Sequence, residues 1–71
     1  MKTQILIEFA NRVRAERKKL GLSQETLAEK AGVHRTYIGM IERAEKNLTL
    51  ANIVKISKAL KVSISYLFRN L

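Results

Sequence analysis

The sequence predicts an all-α fold, a compact bundle of five helices that contains a helix-turn-helix. No segment alternates apolar and polar residues with the period of a β-strand, and helix-capping residues recur before segments with helical apolar spacing. The 71 residues include no proline and no cysteine. We expect one domain over residues 1–71, and self-association would help to stabilise its modest core because no disulfide can.

The first helix is predicted from about Thr3 to Lys19, with Phe9, Val13 and Leu20 on one side and Gly21 at its end. The later helices are marked by a hydrophobic staple, in which the residue before the cap packs on another five positions later. The staple pairs are Leu22 with Leu27, Val33 with Ile38, Leu48 with Ile53, and Val62 with Leu67. The caps between them are Ser23, His34, Thr49 and Ser63.

The segment from Gln24 to Arg43 has the spacing of two short helices that cross at a steep angle, a helix-turn-helix. Ala28 is small where the helices cross, and Gly32 stands where the first of them must end in left-handed backbone. The outer face of the second helix is then polar and basic, as a DNA-reading helix requires. The same spacing also occurs in all-helical proteins that touch no DNA.

Charge favours a polyanionic partner. Lysine and arginine number 14 against 6 acidic residues, which gives a formal net charge of +8 and a pI near 10.3. Nucleic acid and an anionic membrane would both suit that charge. The apolar run Ile5–Ile7 is too short for a signal peptide or a membrane span, so we expect a cytoplasmic protein without a membrane partner.

Catalytic chemistry has little support in the composition. The chain has one histidine, no cysteine, no aspartate and no glycine-rich phosphate loop. A catalytic triad, a zinc site or a nucleotide loop cannot be assembled from these residues. We therefore expect no enzyme activity, no metal, no cofactor and no small-molecule ligand.

From about Phe9 to Asn70 the chain resembles the Cro and repressor type of helix-turn-helix regulators, which have the lambda-repressor-like fold. Within that family, RTYIGMIERAEKNLTLANIVKISKAL is similar to the controller proteins of restriction-modification systems. The similarity lies in the Arg-Thr-Tyr-Ile start, the Ile-Glu-Arg end and the Asn-Leu-Thr loop. Two residues depart from the pattern: His34 stands where a short polar cap is usual, and Ala44 where glycine is usual.

The resemblance, together with side-chain chemistry, predicts base reading by Arg35, Thr36 and Tyr37. The planar fork of Arg35 matches O6 and N7 of guanine, although a phosphate clamp is the alternative. Thr36 can offer its hydroxyl to a base edge and its methyl to thymine, or simply face solvent. Tyr37 can rest on a sugar or a thymine methyl, or cover the core.

Phosphate contacts need donors that flank the reading helix. Free backbone N–H groups at a helix start suit an anion, although ordinary capping is the simpler role of the residues there. The predicted phosphate-binding residues are Ser23, Gln24, Arg43, Lys46, Asn47 and Thr49. The resemblance further implies a structural ion pair between Arg17 and Glu42.

The last predicted helix, residues 63–71, carries Ile64, Leu67, Phe68 and Leu71 on one face. Part of this face must close the core, and the family dimerises here, so we assign these four residues to a homodimer interface.

These observations together predict a sequence-specific transcriptional regulator. It would bind palindromic half-sites about 34 Å apart as a homodimer. By resemblance, its operator lies upstream of a restriction-modification operon that includes its own gene, with activation at low occupancy and repression at high. The alternatives are a phage-type repressor, an antitoxin, or a nucleic-acid or protein-interaction module without sequence specificity. We expect the protein in the bacterial cytoplasm, associated with the nucleoid.

Overall fold

The computed structural model describes residues 3–45 and 47–71, and these residues form the predicted all-helical fold. The helices are α1 (Gln4–Lys19), α2 (Gln24–Ala31), α3 (Arg35–Glu42), α4 (Leu50–Leu60) and α5 (Ile64–Leu67). No β-strand occurs in the described part of the chain. The prediction of fold class is confirmed.

Every helix begins at a residue whose side chain accepts a hydrogen bond from the first turn. The five caps are Thr3, Ser23, His34, Thr49 and Ser63. His34 does this with its imidazole, since Nδ1 accepts from the backbone N–H of Thr36 at 3.0 Å. A ring nitrogen thus satisfies one of the free N–H groups that a serine or threonine hydroxyl satisfies elsewhere.

Left-handed backbone follows the first four helices. Gly21 and Gly32 adopt it after α1 and α2, with φ of +69° and +72°. Ala44 and Lys61 adopt it after α3 and α4, with φ of +57° and +60°. At Ala44 the chain keeps a turn suited to glycine and accepts the steric cost of a Cβ.

The core lies between the first four helices and is closed by α5. Its side chains below 2% exposure are Val13, Leu27, Ile38, Ile41, Ile56, Leu60 and Leu67. The residues predicted to precede the caps, Leu22, Val33, Leu48 and Val62, pack half-buried against this core. Leu20, predicted on the same side of α1 as Phe9 and Val13, is not buried with them. It is 44% exposed because it is the C-cap of α1, where the helical repeat ends.

The last helix is shorter than predicted, because α5 spans only Ile64–Leu67. The carbonyls at its end turn toward α1, where the Arg12 guanidinium donates to those of Tyr66 (2.8 Å), Leu67 (3.4 Å) and Arg69 (3.0 Å). Asn70 then takes left-handed backbone at φ +65°. These features end the helix well before Leu71.

A second polar contact joins α1 to α5. Glu16 is buried, and its Oε2 accepts hydrogen bonds from the Tyr66 hydroxyl at 2.9 Å and from Lys19 Nζ at 3.0 Å. Burial acts to raise the pKa of Glu16, but the hydrogen bonds from Lys19 and Tyr66 and the charges of Lys19 and Arg12 outweigh it. The pKa is lowered as a result.

Candidate nucleic-acid interface

The first turn of α3 presents two of the predicted base-reading residues to solvent. Arg35 is the first residue of the helix and Thr36 the second, and both are exposed. The Arg35 guanidinium does not extend freely, because its Nη1 donates to Oε2 of Glu25 at 3.2 Å. Side-chain exposure is 67% for Arg35 and 72% for Glu25, so the pair lies in water on the outer surface.

Tyr37, the third predicted base-reading residue, is half-buried and packs against the core. Its phenol oxygen accepts a hydrogen bond from Nδ2 of Asn52 at 2.9 Å. A phenol that accepts in this way keeps its own proton for another acceptor. Tyr37 therefore covers the core with its ring and retains one donor for a phosphate or a base.

The C-terminal end of α3 is fixed by a buried carboxylate. Glu42 is 3% exposed and accepts two hydrogen bonds from Arg17, from Nε at 2.7 Å and from Nη2 at 3.0 Å. Gln24 Nε2 donates to Oε1 at 3.1 Å, and Nε of Arg14 lies 3.6 Å from the same oxygen. Arg14 also donates to the backbone carbonyl of Glu42. These contacts join α1, α2 and α3 at a single carboxylate.

The pKa values of the pair show that both charges are favoured. Burial disfavours ionised Glu42, but hydrogen bonds from Arg17 and Gln24 and the charges of Arg17 and Arg14 outweigh it and lower the pKa. The hydrogen bond to Glu42 is the main cause that raises the pKa of Arg17. Such a pair is a structural element, since neither group has a protonation change near neutral pH.

Four of the predicted phosphate-binding residues already have partners within the domain. Ser23 accepts from the backbone N–H of Thr26 and donates to its hydroxyl, at 3.0 and 2.9 Å. Thr49 caps α4 through the N–H of Asn52. The Gln24 amide turns inward to Glu42, and Arg43 Nε lies 3.1 Å from Oε2 of Glu45. Asn47 is exposed, and Lys46 lies outside the described residues.

Gly39, inside α3, leaves room for a neighbouring arginine. A Cβ built on Gly39 would lie 3.1 Å from Nη1 of Arg43 and 3.6 Å from Oε1 of Gln24. The missing side chain makes room for the Arg43 guanidinium to lie across α3. Because that guanidinium is the end of a flexible side chain, it can swing away at little cost.

One residue assigned to the dimer interface belongs elsewhere. Leu67 has no exposed surface within a single protomer, so its placement in the interface was wrong and it is a core residue. Phe68 stacks on Phe9, with ring centroids 4.8 Å apart and 16° between the ring planes. Ile64, Phe68 and Leu71 remain half-buried and retain apolar surface for a partner.

Three contacts between helices were not predicted from the sequence: Glu25 with Arg35, Asn52 with Tyr37, and Arg12 with the end of α5. Each joins residues from different helices, so no short spacing marks them. The charges of Glu25 and Arg35 were visible, but their proximity depends on how α2 and α3 cross.

Within residues 3–45 and 47–71, no group of three or more His, Cys, Asp or Glu side chains is arranged to hold a metal ion. Over the same residues, every helix is too short or too polar to cross a membrane.

Comparison with known proteins identifies the family. Residues 13–67 match the family model described as helix-turn-helix. The chain is 50% identical over 56 residues to control protein C.SmaI of Serratia marcescens, a match that covers 79% of this chain and 67% of that protein. The crystal structure of the restriction-modification controller protein C.AhdI from Aeromonas hydrophila is 44% identical. It superposes with a TM-score of 0.87 and covers 89% of this chain and 96% of that one.

A further solved structure shows a related protein on DNA. The restriction-modification controller protein C.Esp1396I, as a tetramer in complex with its natural 35-base-pair operator, has a TM-score of 0.88 at 36% identity. The match covers 94% of this chain and 88% of that one. This chain therefore belongs to the helix-turn-helix family of transcription regulators, together with the control proteins of restriction-modification systems.

Proposed function

We propose that the chain is a sequence-specific DNA-binding transcriptional regulator that controls a restriction-modification operon, including its own gene, from a palindromic operator. The observation that carries the proposal is the exposed arginine at the first turn of α3, above a buried ion network that fixes the orientation of that helix. The relatives support the biological role, since the similar proteins are control proteins and one of them was solved on its operator.

Base reading is assigned to the exposed start of α3. In the major groove, Arg35 would place two N–H groups on O6 and N7 of guanine. Thr36, exposed beside it, would reach the next base edge with its hydroxyl or methyl group. Tyr37 would donate its phenol proton to a phosphate or base while Asn52 holds its oxygen, which leaves its ring in the core.

Phosphate binding is assigned to the donors around α3. The N-termini of α2 and α4, capped by Ser23 and Thr49, lie beside α3, which Gln24 and Asn52 contact. Backbone N–H groups and dipoles there favour an anion. Arg43 can exchange its exposed contact with Glu45 for a phosphate at little cost. We also assign phosphate contacts to the backbone N–H of Gln24 and to the side-chain amide of Asn47. Lys46 is assigned a phosphate contact from the sequence alone.

Self-association is assigned to the apolar surface of Ile64, Phe68 and Leu71. A two-fold dimer would place the two α3 helices about 34 Å apart, one turn of the double helix, in successive major grooves. We propose activation at low operator occupancy and repression at high occupancy, in the bacterial cytoplasm at the nucleoid. The assigned role is binding, with no catalytic step.

The test is a selection of bound duplexes from a random pool, followed by sedimentation of the protein alone and with the selected duplex. We expect a palindromic consensus and a complex with an even number of protomers. A pool without a consensus would favour the interaction module without specificity. A consensus near a toxin or integrase gene, instead of a methyltransferase and endonuclease pair, would favour the antitoxin or phage repressor.

A further inference from the structure

The outer surface of the helix-turn-helix holds an acidic residue next to its main base-reading candidate. Glu25 lies in the first turn of α2 and Arg35 in the first turn of α3, and the two side chains meet at 3.2 Å in solvent. A carboxylate here opposes DNA phosphates on a surface whose other predicted contacts attract them. In a domain with a net charge of +8, a carboxylate beside the main base-reading candidate calls for an explanation.

The contact uses only part of the guanidinium. Glu25 engages Nη1 of Arg35, which is one of three nitrogens that together carry five N–H donors. The donors on the other nitrogens can therefore address a guanine while Nη1 stays with the carboxylate. An arginine held from one side has fewer orientations to lose when it reads a base.

We infer that Glu25 is a specificity-determining residue, which holds Arg35 for guanine and penalises its use as a phosphate clamp. The inference rests on the proposed function, because it assumes that Arg35 reads a base. On the operator the pair with Glu25 survives, so the carboxylate stays neutralised. On a duplex without guanine at that position, Arg35 can reach a phosphate only by leaving Glu25 exposed to the DNA backbone.

The predicted consequence concerns discrimination more than affinity. Glu25→Gln removes the penalty on phosphate contacts, so binding to random duplex should strengthen by roughly 3- to 10-fold for a dimer at low salt. Binding to the operator should change by less than about 3-fold, because the pair is retained there. The ratio of operator to random affinity therefore falls.

The matched control is Glu29→Gln. Glu29 is an exposed carboxylate on the same helix, about one turn from Glu25, so its replacement changes the net charge equally. Both substitutions are measured alone and in an Arg35→Ala background. Binding to the selected operator and to a scrambled duplex of equal length is followed at two salt concentrations, with circular dichroism to confirm folding.

The inference requires that Glu25→Gln lower the operator-to-random ratio more than Glu29→Gln, and that this excess vanish in the Arg35→Ala background. It is overturned if the two substitutions behave alike, if both duplexes gain equally, or if the excess persists without Arg35. A wild-type protein with no preference for any selected duplex would overturn the proposed function itself. A preference that Glu25→Gln leaves intact would overturn only the role of Glu25.

Discussion

Two arginine–glutamate pairs lie at the two ends of α3, an inner pair buried at its last residue and an outer pair exposed at its first, and they differ in burial and in the number of their hydrogen bonds. At the C-terminal end of α3, Arg17 holds Glu42 through two hydrogen bonds, with side-chain exposures of 12% and 1%. At the N-terminal end, Arg35 meets Glu25 through one contact, with side-chain exposures of 67% and 72%. Gln24 and Arg14 also contact Glu42 of the inner pair, whereas the outer pair is exposed to water.

The difference shows how the surroundings of an ion pair decide its use. A buried pair has lost the water around both charges, so removal of one partner leaves the other with a large desolvation cost. An exposed pair is worth between zero and about 1 kcal/mol, because water screens it and replaces each partner. The inner pair is thus suited to hold helices together, whereas the outer pair contributes little to stability and leaves the other donors of Arg35 available to DNA.

The largest expected effect comes from breaking the inner pair. Glu42→Gln keeps the shape of the side chain but removes its charge, and leaves Arg17 largely buried without a counter-charge. We expect a loss of about 3 to 5 kcal/mol in the free energy of unfolding. Urea unfolding followed by circular dichroism measures it. Glu25→Gln, the same change in the outer pair, should lower the free energy of unfolding by less than about 1 kcal/mol. Equal losses would contradict the comparison.

Acid should weaken the inner pair in a defined pH range. The pKa values of Glu42 and Glu16 are lowered from their ordinary value of 4.5 in the folded protein. Their contribution to stability is therefore complete above about pH 4.5 and is lost as the pH falls through the lowered values. Denaturant unfolding between pH 7 and pH 3 should show this fall, and Glu42→Gln should flatten it. A variant that loses stability as steeply as the wild type would rule out Glu42 as the cause.

For the outer pair, the effect should appear in binding. Arg35→Ala removes a planar pair of donors, so operator affinity should fall by about 1 to 3 kcal/mol per half-site while binding to random duplex changes little. Arg43→Ala is the matched control, since loss of a phosphate contact weakens both duplexes and lowers the salt slope by about one per protomer. If Arg35→Ala also weakened both duplexes equally, Arg35 would be a phosphate clamp.

The smallest effect is expected in the turn that follows α3, at Ala44. Ala44→Gly relieves a left-handed backbone that costs an alanine about 1 to 2 kcal/mol, but removes a buried methyl worth up to about 0.8 kcal/mol. The net result should be stabilisation below about 1 kcal/mol, measured by thermal unfolding. Ala28→Gly, at a buried alanine inside α2, should destabilise instead. Destabilisation by both would show that the methyl outweighs the strain.

Much of the fold could be predicted because its signals are local. Caps such as Ser23 and Thr49, and the turn residue Gly32, act within one helical turn, so their spacing is readable along the chain. The pair of Arg17 and Glu42 joins residues that are distant in the sequence. It was predicted from the family resemblance and is present in the structure.

The rest depended on how the helices pack. Leu67 and Phe68 belong to the same apolar pattern. The pattern does not predict that α5 ends between them, where Arg12 donates to the carbonyl of Leu67, or that only Leu67 is fully buried. The contact of Glu25 with Arg35 likewise exists only because α2 and α3 cross. Periodicity gives the apolar face of a helix but not the neighbour that covers it.

The hold of Arg12 on the end of α5 has a consequence for the order of folding. Its hydrogen bonds join residues 54 to 57 positions apart in the chain, and a four-residue helix has too few internal hydrogen bonds to persist alone. The loop that these bonds close is nearly the whole domain, so we expect α5 to order only after α1 to α4 have assembled. The proposed dimer surface would then be the last part of the protomer to form and the first to open. Self-association would then require that the rest of the domain has already folded.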